Sequence, residues 1–199
     1  MATDEFQTIE GLAEGIYKEK GSKFLAFAHP VTNTDEIKTI VDGYKKEYFD
    51  ARHCCYAWKL GMDENNFRAN DDGEPSGTAG KPIYGQILSN ELTNILVVVI
   101  RYFGGIKLGT SGLIYAYKTA TADALANAKV IVKTVDVKIE ARFAYESMND
   151  VMRVIKEENP KVLNQDFNLM CSITMTQRQN NADKLIERLS SFAEVNILE

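Results

Sequence analysis

The sequence predicts an α+β protein of two domains, and three observations carry that reading. Residues Ile95 to Ile100 form an unbroken aliphatic run, which marks a strand covered on both faces. From Val135 to Phe143, apolar residues alternate with Asp136, Lys138, Glu140 and Arg142, the period of two of a strand with one wet face. Elsewhere apolar residues recur at the three-to-four spacing of amphipathic helices.

In chain order, Lys23 to Ala28 reads as a strand. Ile37, Ile40, Val41 and Tyr44 share one helical face, which sets a helix at Asp35 to Phe49 with Asn33 or Thr34 as its cap. A strand at His53 to Leu60 comes next, then a glycine-rich loop, then the aliphatic strand at Asn94 to Tyr102, expected at the centre of its sheet. A second helix runs from Thr110 to Ala128. After the alternating strand at Val135 to Phe143, the residues Met148, Val151, Met152 and Ile155 fall at helical spacing and stop at Asn159-Pro160, where proline cannot continue a helix. Lys161 to Phe167 reads as a short strand, and Leu169, Cys171, Ile173 and Met175 alternate as its hairpin partner. Ala182, Leu185, Ile186 and Leu189 mark a last helix, and Ala193, Val195 and Ile197 a last strand. The order βαββαβ is that of a ferredoxin-like domain. With no linker or repeat to divide the chain, this pattern sets the boundary near residues 130 to 134, giving domains 1–130 and 131–199.

Composition excludes several classes. The longest aliphatic run is six residues, far short of the roughly 20 a membrane helix needs. Asp4, Glu5 and Glu10 precede the first lysine, so no secretory signal or transit peptide is expected and a cytoplasmic location follows. Three cysteines, two of them adjacent, make no disulfide framework, and two histidines make no zinc pattern. Net charge is −5, from 23 basic and 28 acidic residues. It divides into −3 over residues 1–130 and −2 over 131–199, so any nucleic-acid contact must come from a local patch.

Two segments concentrate glycine and charge without hydrophobic periodicity. Asn70 to Pro82 carries Asp71, Asp72, Glu74, Thr78 and Lys81 among three glycines. It reads as a recognition loop or an oxygen-rich divalent-cation site, or else as a turn whose acids bond their own backbone. Arg101 to Gly112 leads into a helix and carries Gly104, Gly105, Lys107, Gly109, Thr110 and Ser111. A glycine-bearing turn at a helix start presents backbone N–H groups and the positive end of the helix dipole, which suit a phosphate. Arg101 and Lys107 add charge. Neither the P-loop nor the dinucleotide spacing is present, and tight turns alone also account for the glycines. His53, Cys54 and Cys55 alternate across a strand, which keeps adjacent residues from acting on one another. Tyr56 and Trp58 form an aromatic stripe of the kind that stacks bases, although such residues are more often core.

Taken together, GSKF at Gly21–Phe24, HCCYAW at His53–Trp58, DDGEPSGTAGKPI at Asp71–Ile83 and VVVIRYFGGIKLGTSGLIYAY at Val97–Tyr117 resemble the YigZ/IMPACT family. The likeness to its N-terminal domain spans residues 15 to 128, and the βαββαβ tail is similar to the smaller domain of bacterial members. The resemblance implies a first domain like domain IV of elongation factor G and a second like that factor's ferredoxin-like domain V. Eukaryotic relatives act in translational control through protein contacts with the machinery that senses amino-acid starvation, using an extra N-terminal domain. That domain is not expected here, because the motifs begin within the first 25 residues. For bacterial members the fold suggests nucleic-acid or ribosome association.

The expectation is therefore a non-enzymatic RNA- or ribosome-associated protein, with no catalytic residue and no cofactor, in contact with the translation machinery and with no membrane. Its site would be Arg101, Lys107 and the turn between them. The alternatives are a metal-dependent enzyme acting on a phosphorylated or peptide substrate through Asp71, Asp72 or Glu74, and a protein-interaction module.

Overall fold

The computed structural model describes residues 4–168 and 170–198, so the expected strand position of Leu169 lies outside the described residues. The chain forms two compact units, one of Phe6–Val132 and one of Lys133 onward together with Asp4 and Glu5. Grouping Asp4 and Glu5 with the second unit departs from the expected division. Its reason is local: both Asp4 carboxylate oxygens take guanidinium hydrogen bonds from Arg178, at 2.7 and 2.8 Å, and the Asn180 amide adds a third bond at 3.1 Å.

The architecture is α+β, as expected. The first unit holds β1 (Glu5–Ile9, whose first residue belongs to the second unit), β2 (Ala13–Glu19), β3 (Ser22–Pro30), α1 (Thr34–Glu47), β4 (His53–Lys59), β5 (Phe67–Asn70), α2 (Gly80–Ser89), β6 (Ile95–Tyr102) and α3 (Gly109–Ala126). Its main sheet has the order β2-β3-β6-β4-β5 with every neighbouring pair antiparallel, so the aliphatic strand β6 is central. Both of its faces are covered because its side chains alternate between two cores. Ile95, Val97 and Val99 pack with Ile83 and Ile87 of α2 and with Ala116, Tyr117 and Ala120 of α3. Leu96, Val98 and Ile100 pack with Ile37 and Val41 of α1. The cap of α1 is Asn33, whose side chain accepts the Glu36 N–H at 2.9 Å, while the Glu36 carboxylate accepts the Thr32 N–H.

β7 (Val130–Thr134) pairs with β1 in a separate two-stranded sheet. The second unit continues with β8 (Asp136–Phe143), α4 (Met148–Glu158), β9 (Lys161–Phe167), β10 (Cys171–Arg178), α5 (Gln179–Leu189) and β11 (Glu194–Leu198). Its sheet order, β11-β8-β10-β9 and antiparallel throughout, is the ferredoxin-like arrangement. Ile139, Ala141 and Phe143 of β8 and Ile173 and Met175 of β10 meet Val151, Ile155, Leu185 and Leu189 of the two helices. Among the described residues, no helix is long and apolar enough to cross a membrane.

The sequence reading passes over β1, β2, β5, β7 and α2. The last of these carries Gly80, Pro82 and Gly85 and has no side-chain cap on its own N-cap residue, so no helix-start signal is present locally.

Candidate functional site

The turn between β6 and α3 is open to solvent. Gly105, Ile106, Lys107, Gly109, Thr110 and Ser111 are all exposed. Gly105 and Gly109 hold φ of +86° and +72°, a backbone region that side chains disfavour, and this lets the chain fold back before the helix begins. The N-cap position of α3, Leu108, supplies no side-chain hydrogen bond, and its first turn carries no acidic residue. Eighteen residues of helix thus start from a turn that no acid of its own neutralises. Lys107 has no ion-pair partner among the described residues. Phe103 and Ile106, 45% and 55% exposed, give the turn an apolar element as well.

Two expected members of the site are placed otherwise. Gly104 has its N–H donated to the Ser22 hydroxyl at 3.1 Å. A Cβ on Gly104 would stand 2.0 Å from the Gly21 carbonyl carbon, so the residue is glycine because two backbones meet there. Arg101 is turned inward: its side chain is 7% exposed and its Nη1 donates to Glu74 Oε1 at 2.5 Å. Its guanidinium also lies 5.5 Å from the Phe24 ring centre and 5.6 Å from that of Phe103. A cation buried in this way is not available to a phosphate, so Lys107 remains as the turn's own exposed charge. The signal was legible in part. Arg101 follows Val97 and Val99 at even spacing and therefore shares their buried face.

The Arg101–Glu74 pair joins the two glycine-rich segments. Glu74 Oε1 also accepts the Tyr117 hydroxyl at 2.8 Å, and His53 Nε2 lies 3.8 Å away. His53 Nδ1 meets the Asp72 carbonyl at 2.8 Å, and since a carbonyl oxygen only accepts, that nitrogen carries the proton. The Cys55 thiol donates to the Asp71 carbonyl at 3.0 Å and lies 3.3 Å from the Tyr117 hydroxyl. Burial pushes the Cys55 thiol and the Tyr117 hydroxyl upward, so both stay protonated at neutral pH. Tyr117 and the pairing of His53 and Cys55 with this cluster escape sequence reasoning, because they depend on which loop folds over which strand.

The other carboxylates of the 70–82 segment are engaged by the protein itself. Asp71 accepts the N–H groups of Gly77, Ala79 and Gly80 at 2.8, 3.0 and 2.8 Å. It thereby caps α2 from nine residues upstream of Gly80. Burial raises its carboxyl, and the three amides more than offset that, holding it below the ordinary carboxylate value. Asp72, at φ +41°, spans Lys45 Nζ at 3.1 Å and the Cys54 N–H at 2.7 Å. Thr78 is buried and donates to the Pro75 carbonyl at 2.7 Å, while Lys81 is exposed with its stem against Gly77. Among the described residues, no three His, Cys, Asp or Glu side chains are grouped so as to hold a metal. Of the three acids only Asp71 bonds the segment's own backbone; Asp72 reaches Cys54 and Lys45, and Glu74 reaches Arg101 and Tyr117.

Residues 20–125 match the model of the Impact N-terminal domain. The IMPACT family member YigZ of Escherichia coli is 30% identical over 176 residues, which cover 87% of this chain and 86% of that protein. The IMPACT family member YvyE of Bacillus subtilis is 39% identical over 110 residues, 55% of this chain and 51% of that one. A crystal structure described as that of a hypothetical protein superposes with a TM-score of 0.77 at 26% identity, covering 99% of this chain and 98% of the other. With the domain model matching over half its length and a relative aligned along most of it, the chain belongs to the IMPACT family.

Proposed function

We propose that this chain is a non-enzymatic RNA- or ribosome-associated protein that works in translational regulation in the cytoplasm. The observation that supports the reading best is the open turn at Gly105–Ser111, where an uncapped helix start stands beside a lysine with no ion-pair partner among the described residues. A phosphate there meets backbone N–H groups, the Thr110 and Ser111 hydroxyls and the Lys107 ammonium. This arrangement binds one phosphate group locally without needing a basic surface, which suits a protein of net charge −5.

Lys107→Ala tests it. Co-sedimentation with ribosomes, or RNA binding by gel shift, should weaken, and the slope of log affinity against log salt should fall by about 0.7 to 0.9, the contribution of one phosphate contact. Wild-type protein that neither co-sediments nor shifts RNA at about 50 mM salt, where phosphate contacts are strongest, rejects the reading. The exposed Phe103 and Ile106 support a second reading, docking on a protein of the translation machinery. Partners that survive nuclease treatment and are lost in Ile106→Ser favour that one.

A further inference from the structure

A cavity of about 360 Å³ lies between α1 and the outer strands β4 and β5, in the size range of small-ligand pockets, roughly 300 to 1,000 Å³. It is on the α1 side of the sheet, whereas Arg101 and Glu74 belong to the side of α2 and α3, so it is separate from the turn. The strands supply its floor. Tyr56 and Trp58, two residues apart on β4, face the same way, and the antiparallel register sets Trp58 directly beside Arg68 and Tyr56 beside Asn70. The helix supplies the wall through Lys38, Asp42 and Lys45, spaced at four and three residues on one face.

The charges in this cavity are not equivalent. Lys45 is held by Asp72 at 3.1 Å, whereas Lys38 on α1 and Arg68 on β5 have no ionic partner among the described residues. Both are exposed, while Tyr56 and Trp58 are half-buried, so two aromatic side chains and two uncommitted cations line the same cavity. A sugar alone would leave those cations unused. A bare anion would leave the rings unused. A ligand with a flat π-face, hydrogen-bonding edges and an anionic group uses all of them, with Asp42 and Asn70 available to amino and carbonyl edges.

We infer that this cavity takes a nucleoside monophosphate unit, its base on Trp58 and Tyr56 and its phosphate between Lys38 and Arg68. The unit comes either from a free nucleotide or from one residue of a single-stranded RNA. The inference shares its ligand class with the RNA reading above but uses none of the residues of the turn.

Trp58 is the sole tryptophan of the chain and therefore reports the site directly. AMP, GMP, CMP and UMP, and a short single-stranded RNA, are titrated into the full-length protein with tryptophan fluorescence as one readout and calorimetry or oligonucleotide anisotropy as the other. The expected result is saturable quenching of Trp58. Trp58→Ala should weaken binding about 5- to 150-fold, the worth of one base stacked on an aromatic ring. Trp58→Phe, which keeps a ring and leaves the fold least disturbed, should retain most of the affinity by calorimetry. Lys38→Ala with Arg68→Ala should lower affinity at least tenfold. Quenching by mononucleotides identifies a free nucleotide as the source; quenching by the oligonucleotide alone identifies RNA, and either supports the site. Oligonucleotide binding without a change at Trp58, or quenching that survives loss of both cations, overturns this inference and leaves the turn standing. Absence of binding by all of these probes overturns this inference, while the reading of the turn is decided separately by ribosome co-sedimentation.

Discussion

Replacing Glu74 by Gln changes one charge and almost no volume, and its effect follows from the surroundings of Arg101. Glu74 and Arg101 are 3% and 7% exposed at their side chains, with Nη1 and Oε1 2.5 Å apart. The Arg101 Nε is buried without a hydrogen-bond partner, so Glu74 is the counter-charge on which the guanidinium depends. Removing one member of such a pair strands the other and costs about 3 to 5 kcal/mol. The contacts of Arg101 with Phe24 and Phe103 persist in the variant and do not replace the lost charge. At a typical urea dependence of about 2 kcal/mol per molar, the midpoint should fall by about 1.5 to 2.5 M. Trp58 lies in the Phe6–Val132 unit, so its fluorescence follows that unit's unfolding rather than the ferredoxin-like unit's. Glu74→Leu with Arg101→Met and Tyr117→Phe, the last removing the hydroxyl that Glu74 accepts, should recover most of the loss, since apolar groups of similar volume often replace a buried ion pair at little cost. A Glu74→Gln midpoint within about 0.5 M of wild type would mean that solvent reaches the pair, and the inward placement of Arg101 would be refuted.

Other outcomes follow from the same geometry. Arg178 holds the Asp4 carboxyl well down, at about 2, so the stability it contributes is in place above the ordinary value near 3.8 and is lost as pH falls through about 2. Asp4→Asn should therefore flatten the acid limb of the ferredoxin-like unit's unfolding, followed by circular dichroism. Gly43, in the middle of α1 with open space where a Cβ would stand, should accept alanine with a gain of about 0.5 to 1 kcal/mol, read as a higher urea midpoint. Gly104→Ala, which meets backbone at 2.0 Å, should destabilise by more than about 2 kcal/mol in the same assay. Burial pushes the Cys54 thiol up to about 11 and the Cys55 thiol higher, so a thiol reagent at neutral pH should label neither until the unit unfolds.

Strands whose faces differ in solvation announced themselves in the sequence, as did helices with a continuous apolar stripe. β8, with charges on one face, and α1, with its stripe and asparagine cap, are both of this kind. What stayed hidden shares one physical trait, dependence on groups distant in sequence. The cap of α2 is Asp71, not a residue next to the helix, and glycines at both ends of its first two turns conceal it further. β5 is four residues long and defined by its pairing with β4. The open turn before α3 was recognisable from its glycines and lysine, and the inward fate of Arg101 only from its parity on β6. The carboxylate segment stayed open between a recognition loop, a cation site and a self-bonded turn, because composition does not reveal which groups a carboxylate faces.

The backbone meeting of Gly104 with Gly21 and Ser22 has a mechanical consequence. The turn that precedes α3 is braced on the tip of the β2–β3 hairpin, backbone against backbone at Gly104 and Gly21, with the short Ser22 hydroxyl accepting the Gly104 N–H. If the proposed contact at Lys107 forms, a pull on it would be shared with the five-stranded sheet instead of peeling the helix from its first residue.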